Sequence, residues 1–204
     1  MKYFSDIRGY IFLFLSRCRL SVFCFLSSLW CKTIMFLKGV QYKRGNRYFG
    51  ILKVKRLPMS IIKIGNNNIF RSDSSSNLIG VNHRCILSTH SKRAVIEIGD
   101  NCGFSGVTIG AYEKIVVGSN VLCGANVTIT DFDWHASRYA SESRPVIIHN
   151  NVWLGLNVTV LKGVEIGCNT IIGANSLVVS SIPANVIAAG NPCKVIKSIS
   201  DHDE

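Results

Sequence analysis

The sequence predicts a parallel β-helix, an all-β fold in which short strands are wound into stacked coils. Three features of the chain lead to this fold class: an aliphatic residue recurs at every sixth position, glycine often follows it, and asparagine or another small residue fills the later positions of the block. A period of six matches neither the helical repeat nor the two-residue alternation of an ordinary strand. It matches a strand of about three residues followed by a corner.

The six-residue blocks are clearest after residue 117, where the chain reads VGSNVL and CGANVT. After a break they resume at residue 148 as IHNNVW, LGLNVT, VLKGVE, IGCNTI, IGANSL and VVSSIP, and IGDNCG from Ile98 and, more loosely, IGNNNI from Ile64 precede them. Three blocks make one triangular coil, and coils stack about 4.8 Å apart. Glycine and asparagine suit the corners because they tolerate left-handed backbone conformations. A β-sandwich also uses short strands, but it keeps no such frame.

The chain divides by composition into three parts: an N-terminal extension over 1–60, a β-helix domain over 61–199 and a short tail over 200–204. Residues 10–37 of the extension are rich in large apolar side chains, but their longest charge-free run, from Leu20 to Cys31, has only twelve residues. A spanning helix needs about 20 apolar residues. We therefore expect one or two helices and then a basic linker into the first coil.

Net charge is confined to the extension. Residues 1–60 hold twelve Lys and Arg against one acid, whereas residues 61–204 hold eleven of each sign. The neutral β-helix domain is therefore not expected to bind nucleic acid. The basic, apolar extension predicts a peripheral contact with the cytoplasmic face of a membrane. The alternative is that it packs on the open first coil or across a subunit interface and covers a sheet edge.

The cysteines and histidines do not predict a metal site. The eight cysteines contain no C-x-x-C pair, and His135 has no second histidine close to it in sequence. Zinc sites in proteins usually take closely spaced ligand pairs. Reduced cysteines that fill the core are the expected arrangement, and they indicate a cytoplasmic location.

The frame breaks once after residue 117, over a predicted protruding loop at 131–147. This loop contains one histidine, His135, and three acids, Asp131, Asp133 and Glu142. A neutral imidazole can accept a proton near neutral pH, and a carboxylate can orient it through its other ring nitrogen. The pattern is typical of a general base on a loop. Among the acids we favour Asp133 as the orienting residue, with Asp131 and Glu142 as alternatives.

The blocks IGANSL, NNVWLGLNVTVLKGVEIG and IPANVIAAGNPCKVIK resemble those of the hexapeptide-repeat acyltransferases, over roughly residues 60–199. The resemblance is closest to galactoside, maltose and surface-polysaccharide O-acetyltransferases. It implies a left-handed parallel β-helix, a homotrimer with active sites between subunits, and transfer of acetyl from acetyl-CoA. It also implies that His135 is the general base. The spacing departs from the galactoside enzymes by one residue, since their histidine aligns with Trp134.

The same resemblance implies which residues bind the two substrates. Leu156 and Ala174 match positions along the pantetheine arm of CoA. Lys194 and Lys197 match phosphate-contacting arginines, and lysine keeps the charge but loses the bidentate geometry. Ser105 and Tyr112 match the acceptor side.

These observations predict an acetyl-CoA-dependent O-acetyltransferase for a sugar hydroxyl of a bacterial surface polysaccharide or its precursor. One alternative is an N-acetyltransferase of an amino-sugar nucleotide, which would use the same fold and base. The other is a β-helix binding module without activity. An intact His135 and basic residues at the CoA end argue against the inactive module.

Overall fold

The fold was analysed in a computed structural model that describes residues 6–135 and 142–199. One long helix, α1 (Ile7–Leu37), is followed by twenty short strands and a single 3-10 turn, Ser74–Ser76. The strands form three sheets that run the length of the domain, and the chain visits them in rotation. The result is a three-sided parallel β-helix.

Each sheet takes one strand from each of the first six coils, and sheet B gains β19 and β20 at its end. Sheet A contains β1 (Gln41–Tyr42), β4 (Ile61–Ile64), β7 (Val95–Ile98), β10 (Lys114–Val117), β13 (Val146–Ile148) and β16 (Glu165–Ile166). Sheet B contains β2 (Arg47–Phe49), β5 (Ile69–Arg71), β8 (Gly103–Ser105), β11 (Leu122–Ala125), β14 (Trp153–Leu154), β17 (Ile171–Ile172), β19 (Val186–Gly190) and β20 (Cys193–Ser198). Sheet C contains β3 (Lys53–Lys55), β6 (Ile86–Thr89), β9 (Thr108–Ala111), β12 (Thr128–Thr130), β15 (Thr159–Val160) and β18 (Leu177–Val178).

The core is a set of inward-facing columns in which each buried side chain stacks on the one in the coil before it. In sheet B the rings of Tyr48, Phe70 and Phe104 stack with centroids 5.2 and 4.9 Å apart. Strand pairing is in register at these residues, so the rings lie directly above one another. The aliphatic residue of each six-residue block fills the same inward position in the later coils. The predicted ladder of aliphatic and cysteine side chains is present.

Asparagine dominates the corners, as the composition predicts. Nine asparagines have positive φ, between 56° and 63°. Their side chains form ladders from coil to coil, for example from Asn120 through Asn151 and Asn169 to Asn185. Within this ladder each side-chain amide donates to the asparagine of the next coil, which gives these corner polar groups hydrogen-bond partners.

The β-helix begins earlier than the boundary predicted at residue 60. Strands β1 to β3 form a complete first coil, because they pair in parallel with β4, β5 and β6 of the next coil. The stretch that was interpreted as a basic linker is therefore part of the domain. This coil could not be recognised from the sequence, because residues 41–55 do not follow the six-residue frame and their outward positions carry Lys and Arg.

Helix α1 covers the exposed edge of this first coil. Ser28 Oγ accepts the N–H of Tyr48 at 3.0 Å, and Ser27 Oγ accepts the N–H of Gly50 at 3.2 Å. Cys31 and Met35, both buried, pack on the same edge. Contacts with the coil come from the second half of the helix, whereas Tyr10 to Leu15 are all exposed. By length and composition α1 could cross a membrane.

Two excursions leave the coils. The excursion at residues 131–145 lies between β12 and β13, and sheet A resumes at Val146, which pairs with Ile115. It is therefore two residues shorter than the predicted loop at 131–147. A second excursion, residues 72–85, leaves between β5 and β6 and was not predicted. At the far end of the domain β20 folds back antiparallel to β19 and closes sheet B.

Candidate active site

The excursion at 131–145 starts from a buried carboxylate. Asp131 is fully buried, and its two oxygens accept the backbone N–H groups of Tyr112, Glu113 and Lys114 at 2.7 to 2.8 Å. These three residues form the corner of the preceding coil. Burial raises the pKa of the Asp131 carboxyl, and the three N–H donors act in the opposite direction. The carboxylate thus ties the start of the excursion to the coil before it.

The two ends of the excursion are also joined to each other. The N–H of Arg144 donates to the carbonyl of Asp131 at 2.9 Å, and the carbonyl of Arg144 accepts the N–H of Gly163 at 3.0 Å. Ser143 Oγ donates to the carboxylate of Glu113 at 3.1 Å. These bonds close the neck, so residues 132–135 leave the coil, and residues 142–143 return to it, at the corner between sheets C and A.

An aromatic cluster holds the first residues of this loop, 132–134, against sheet C. It consists of His90, Tyr112, Phe132 and Trp134, with neighbouring ring centroids 4.7 to 5.7 Å apart. The Trp134 indole lies directly over Gly110: a Cβ there would come within 2.5 Å of the ring. Only glycine at this position lets the indole approach the sheet, which fixes the direction in which the next residue, His135, leaves.

His90 is the titratable member of this cluster. Its Nε2 lies 2.9 Å from the hydroxyl of Ser88, and its ring packs edge-on against Trp134. Burial lowers the pKa of the His90 imidazole, nearby Lys55 lowers it further, and the Asp131 carboxylate opposes both. The folded protein therefore favours the neutral imidazole at this position.

His135 follows Trp134 and is exposed. Within residues 6–135 and 142–199, no carboxylate lies at ion-pair distance from its ring. Of the predicted orienting acids, Asp131 is fully used by backbone donors, and Asp133 pairs with Lys162 of the following coil. Glu142 is exposed on the returning side of the loop.

The predicted contact between Asp133 and His135 therefore does not form within one chain; Asp133 pairs with Lys162 instead. Lys162 is mostly buried, with 12% of its side chain exposed, and it lies at the corner that the loop covers. A buried ammonium needs a counter-ion more than an exposed imidazole does. This pair ties the loop to the coil above, as Asp131 ties it to the coil below.

The predicted CoA residues lie at the other edge of sheet C. Leu156 and Ala174 are at the corner between sheets B and C in successive coils, each immediately before a left-handed asparagine. The backbone is tightly stacked here: a Cβ on Gly155 would lie 2.6 Å from the nitrogen of Ala174. The corner thus presents a narrow strip of backbone with a half-buried Leu156 and an exposed Ala174.

Lys194 and Lys197 are exposed on β20, the strand that closes sheet B. They lie at the same end of the domain as Ala174, one coil further on. Val179 and Ser180, which follow β18, are also exposed. The described structure thus brings the two lysines to the end of the strip that Leu156 and Ala174 begin.

The two predicted acceptor residues lie apart. Ser105 is buried at the end of β8, and its hydroxyl accepts the side-chain amide of Asn77 from the second excursion at 3.1 Å. Tyr112 is 47% exposed and belongs to the aromatic cluster. Only Tyr112 is therefore next to the loop that carries His135.

Other polar residues of the domain show no catalytic grouping. Within the described residues, no three His, Cys, Asp or Glu side chains are placed to hold a metal ion. His149 is half-buried, with 41% of its side chain exposed, and its Nε2 lies 2.6 Å from the carboxylate of Glu165. Five of the eight cysteines are buried, and Cys18 on α1 is exposed.

Sequence reasoning missed His90 and Lys162 as parts of this site. His90 lies before the regular six-residue blocks, and Lys162 lies within the block VLKGVE. Both lie far from the loop in sequence and reach it only through stacking of coils. The available signal was weak: GAYEK, from Gly110, lacks the usual outward side chain where Trp134 packs.

Comparisons with known proteins were made for the whole chain. No family model matches it. It is 42% identical over 116 residues to galactoside O-acetyltransferase of Escherichia coli (strain K12), covering 53% of this chain and 57% of the relative. It is 40% identical over 139 residues to galactoside O-acetyltransferase of Lactococcus lactis subsp. lactis (strain IL1403), covering 55% of this chain and 67% of the relative. The matches thus span a little over half to two thirds of these relatives.

The fold is shared with solved structures. A mutant of AntD, an N-acyltransferase from Bacillus cereus in complex with dTDP-4-amino-4,6-dideoxyglucose and coenzyme A, superposes with a TM-score of 0.62 at 16% identity, covering 83% of this chain and 89% of that one. The three-sided parallel coil places the chain in the class of parallel β-helix proteins. Within that class, the chain belongs to the hexapeptide-repeat acetyltransferase family, close to the galactoside and polysaccharide O-acetyltransferases.

The environment of His90 predicts a pH-dependent stability. Because folding lowers its pKa below the ordinary value of 6.5, the unfolded chain binds more protons as the pH falls through 6.5, and the folded state loses stability. His90→Gln should remove this part of the pH dependence. Trp134→Ala, which uncovers the ring, should reduce it. Urea unfolding between pH 7.5 and 5 measures both, and an unchanged slope in His90→Gln would contradict the interpretation.

Proposed function

We propose that this chain is an acetyl-CoA-dependent O-acetyltransferase for a sugar hydroxyl, built on a left-handed parallel β-helix, with His135 as its general base. The observation that carries the proposal is the presentation of His135. It is an exposed histidine that directly follows Trp134 in the loop. Three separate contacts hold this part of the loop against the domain. Family membership supports acetyl transfer, and the names of the relatives support a sugar acceptor.

The reaction follows from the chemistry of a thioester and an alcohol. A neutral His135 imidazole accepts the proton of the acceptor hydroxyl as its oxygen attacks the acetyl carbonyl. The new C–O bond forms, the C–S bond breaks, and CoA leaves as a thiolate, which takes the proton from the imidazolium. No strong acid is needed, because a thiolate is a good leaving group.

The excursion supplies the positioning that this step requires. Asp131 anchors the neck, Trp134 packs over Gly110, and Asp133 pairs with Lys162. A base that is held in place loses less entropy at the transition state than a mobile one. We assign Asp133 a positioning role through Lys162, rather than a direct contact with the His135 ring.

The predicted CoA strip and the base lie at opposite edges of sheet C. Leu156 and Ala174 mark one edge, and the neck of the excursion marks the other. A single chain therefore separates the two halves of the site by the width of a sheet. This separation supports a site that is completed by a second copy of the chain, as the resemblance implies.

The general base predicts the effect of one substitution. His135→Ala should lower kcat for acetyl transfer by about 100- to 10,000-fold, because the hydroxyl proton then has no acceptor in place. His149→Ala is a matched control, because that histidine lies at another corner and pairs with Glu165. CoA release, assayed with a panel of sugars, measures turnover.

Near-full turnover of His135→Ala would rule out the assignment. The same panel should include amino sugars and sugar nucleotides. Faster CoA release with amine acceptors than with hydroxyl acceptors would favour the N-acetyltransferase alternative. The acceptor that we propose is a hydroxyl of a bacterial surface polysaccharide or its precursor.

The two lysines of β20 predict a change in KM. Lys194→Ala combined with Lys197→Ala should raise the KM for acetyl-CoA about tenfold and leave kcat nearly unchanged, since phosphate contacts contribute equally to ground and transition states. Lys92→Ala with Arg93→Ala, two exposed cations elsewhere on the surface, is the control. An unchanged KM in the Lys194 and Lys197 variant would mean that these lysines do not contact the nucleotide.

The outer face of sheet B supports a homotrimer. Leu122 and Trp153 are adjacent in register on this face and are 53% and 52% exposed. Ile171 and Ile187 continue the same column in the next two coils. Large apolar side chains in a row on a flat sheet are typical of a subunit contact.

Trp153→Glu should therefore dissociate the trimer, because it places a charge in the centre of this apolar column. Analytical ultracentrifugation should show a fall in mass from three chains to one. Leu78→Glu, at a residue that is 91% exposed in the second excursion, is the control. A wild-type protein that sediments as a monomer would contradict the proposed trimer.

A further inference from the structure

Helix α1 has two different environments along its length. Its second half is fixed to the first coil through Ser27, Ser28, Cys31 and Met35, on one side only. The opposite side of that half faces outward. Most residues before it are exposed, but Ser16 and Leu20 are half-buried, and Leu20 lines a hollow beside Asp73 and Ser75. The β-helix thus explains one face of the helix and leaves the other apolar face without a partner in the described chain.

An exposed apolar stripe runs along the outward side of the whole helix. Its members follow one another at steps of three or four residues, which places them on one face. All of them are exposed: Ile7, Ile11, Leu15, Cys18, Val22, Leu26, Leu29, Thr33 and Phe36. The steps average about 3.6 residues, so the stripe runs straight along the axis, unlike the 3.5-residue repeat of a coiled coil.

The N-terminal part is apolar on all sides. Tyr10, Ile11, Phe12, Leu13, Phe14 and Leu15 are consecutive, and their exposed fractions range from 46% to 75%. Six consecutive residues cover more than one full turn of a helix. A neighbouring helix can cover only one side of such a segment, whereas a lipid phase can surround it.

Cations border the stripe. Residues 6–56 hold eleven Lys and Arg against one acid, Asp6. Within the described residues, none of these cations forms an ion pair. Lys32, Lys43 and Arg44 line a hollow on the sheet A side of the helix. Lys38, Lys53 and Arg84 line another on the sheet C side.

We propose that α1 is a membrane-binding element that lies along the surface of an anionic bilayer. The exposed stripe faces the acyl chains, Tyr10 to Leu15 dip into them, and the cations on both sides contact lipid phosphates. The contact between the second half of α1 and the first coil keeps the β-helix above the membrane. Apolar burial supplies most of the affinity, and each cation near the surface adds to it.

Flotation of the purified full-length chain tests the surface directly. The protein is mixed at low salt with vesicles of phosphatidylcholine alone or with phosphatidylglycerol. Most of it should float with the anionic vesicles and little with the neutral ones. Binding should weaken as salt rises, because exposed charges are screened. The assay needs no enzymatic activity, so its outcome is independent of the proposed acetyl transfer.

Leu26→Asp with Leu29→Asp removes the centre of the stripe. It should lower the partition coefficient for anionic vesicles about tenfold or more, since each leucine loses its burial in lipid. Leu78→Asp with Ile79→Asp is a matched control, because these two residues are 91% and 62% exposed in the second excursion. Circular dichroism of both variants verifies that they are folded.

Lys43→Gln with Arg44→Gln removes two cations that flank the helix. It should weaken binding to anionic vesicles by roughly tenfold and leave binding to neutral vesicles unchanged. Lys92→Gln with Arg93→Gln, which removes two exposed cations away from the helix, should bind as the wild type does. A loss of binding that is equal in the two double variants would contradict recognition by this face.

Four results would overturn the proposal. The full-length chain could stay in the soluble fraction at low salt. The Leu26 and Leu29 variant could float like the wild type. That variant could also change its sedimenting mass without any change in flotation, which would make the stripe a contact between copies. Retention in the vesicles through alkaline carbonate extraction would mean that α1 spans the bilayer, and would contradict a helix that lies on its surface.

Discussion

Parallel pairing between successive coils fixes the height at which every residue of the β-helix lies. A side chain that points inward must stack on the one in the coil before it, and a corner must lie above another corner. This constraint explains the aliphatic columns, the stacked rings of Tyr48, Phe70 and Phe104, and the asparagine ladders. It also limits insertions. Extra residues can leave only at a corner, and they must return to the same corner for the next strand to pair.

Asp131 solves this problem for the loop that carries His135. Its carboxylate satisfies three N–H groups of the coil below, and its carbonyl accepts the N–H of Arg144, where the chain returns. The neck is therefore closed by the Asp131 carboxylate and by the backbone hydrogen bond between Arg144 and Asp131. The aromatic cluster then holds residues 132–134 against sheet C, and the Asp133–Lys162 pair joins them to the next coil. An acid that the sequence presented as a partner for the base is used instead to hold the loop.

The first coil poses a different constraint, because it has no coil before it. The serine hydroxyls of helix α1 accept the N–H groups of Tyr48 and Gly50. The helix thus covers the edge of sheet B in the first coil, which would otherwise be open to pairing with another strand. This contact uses one side of half of the helix. The two predictions for the extension, an edge cover and a membrane contact, are therefore compatible, because they concern different faces of the same helix.

The sequence by itself determined the repeat, the inward columns, the asparagine corners, the position of the main loop and His135 as its exposed histidine. All of these are local features, set by the six-residue period and by the backbone freedom of asparagine and glycine. Only the tertiary structure decided that the coils begin at Gln41, that Asp133 pairs with Lys162, and that His90 lies under Trp134. These contacts join residues 22 or more positions apart, and stacking brings them together. No local pattern records which residues will lie above one another once an excursion shifts the frame.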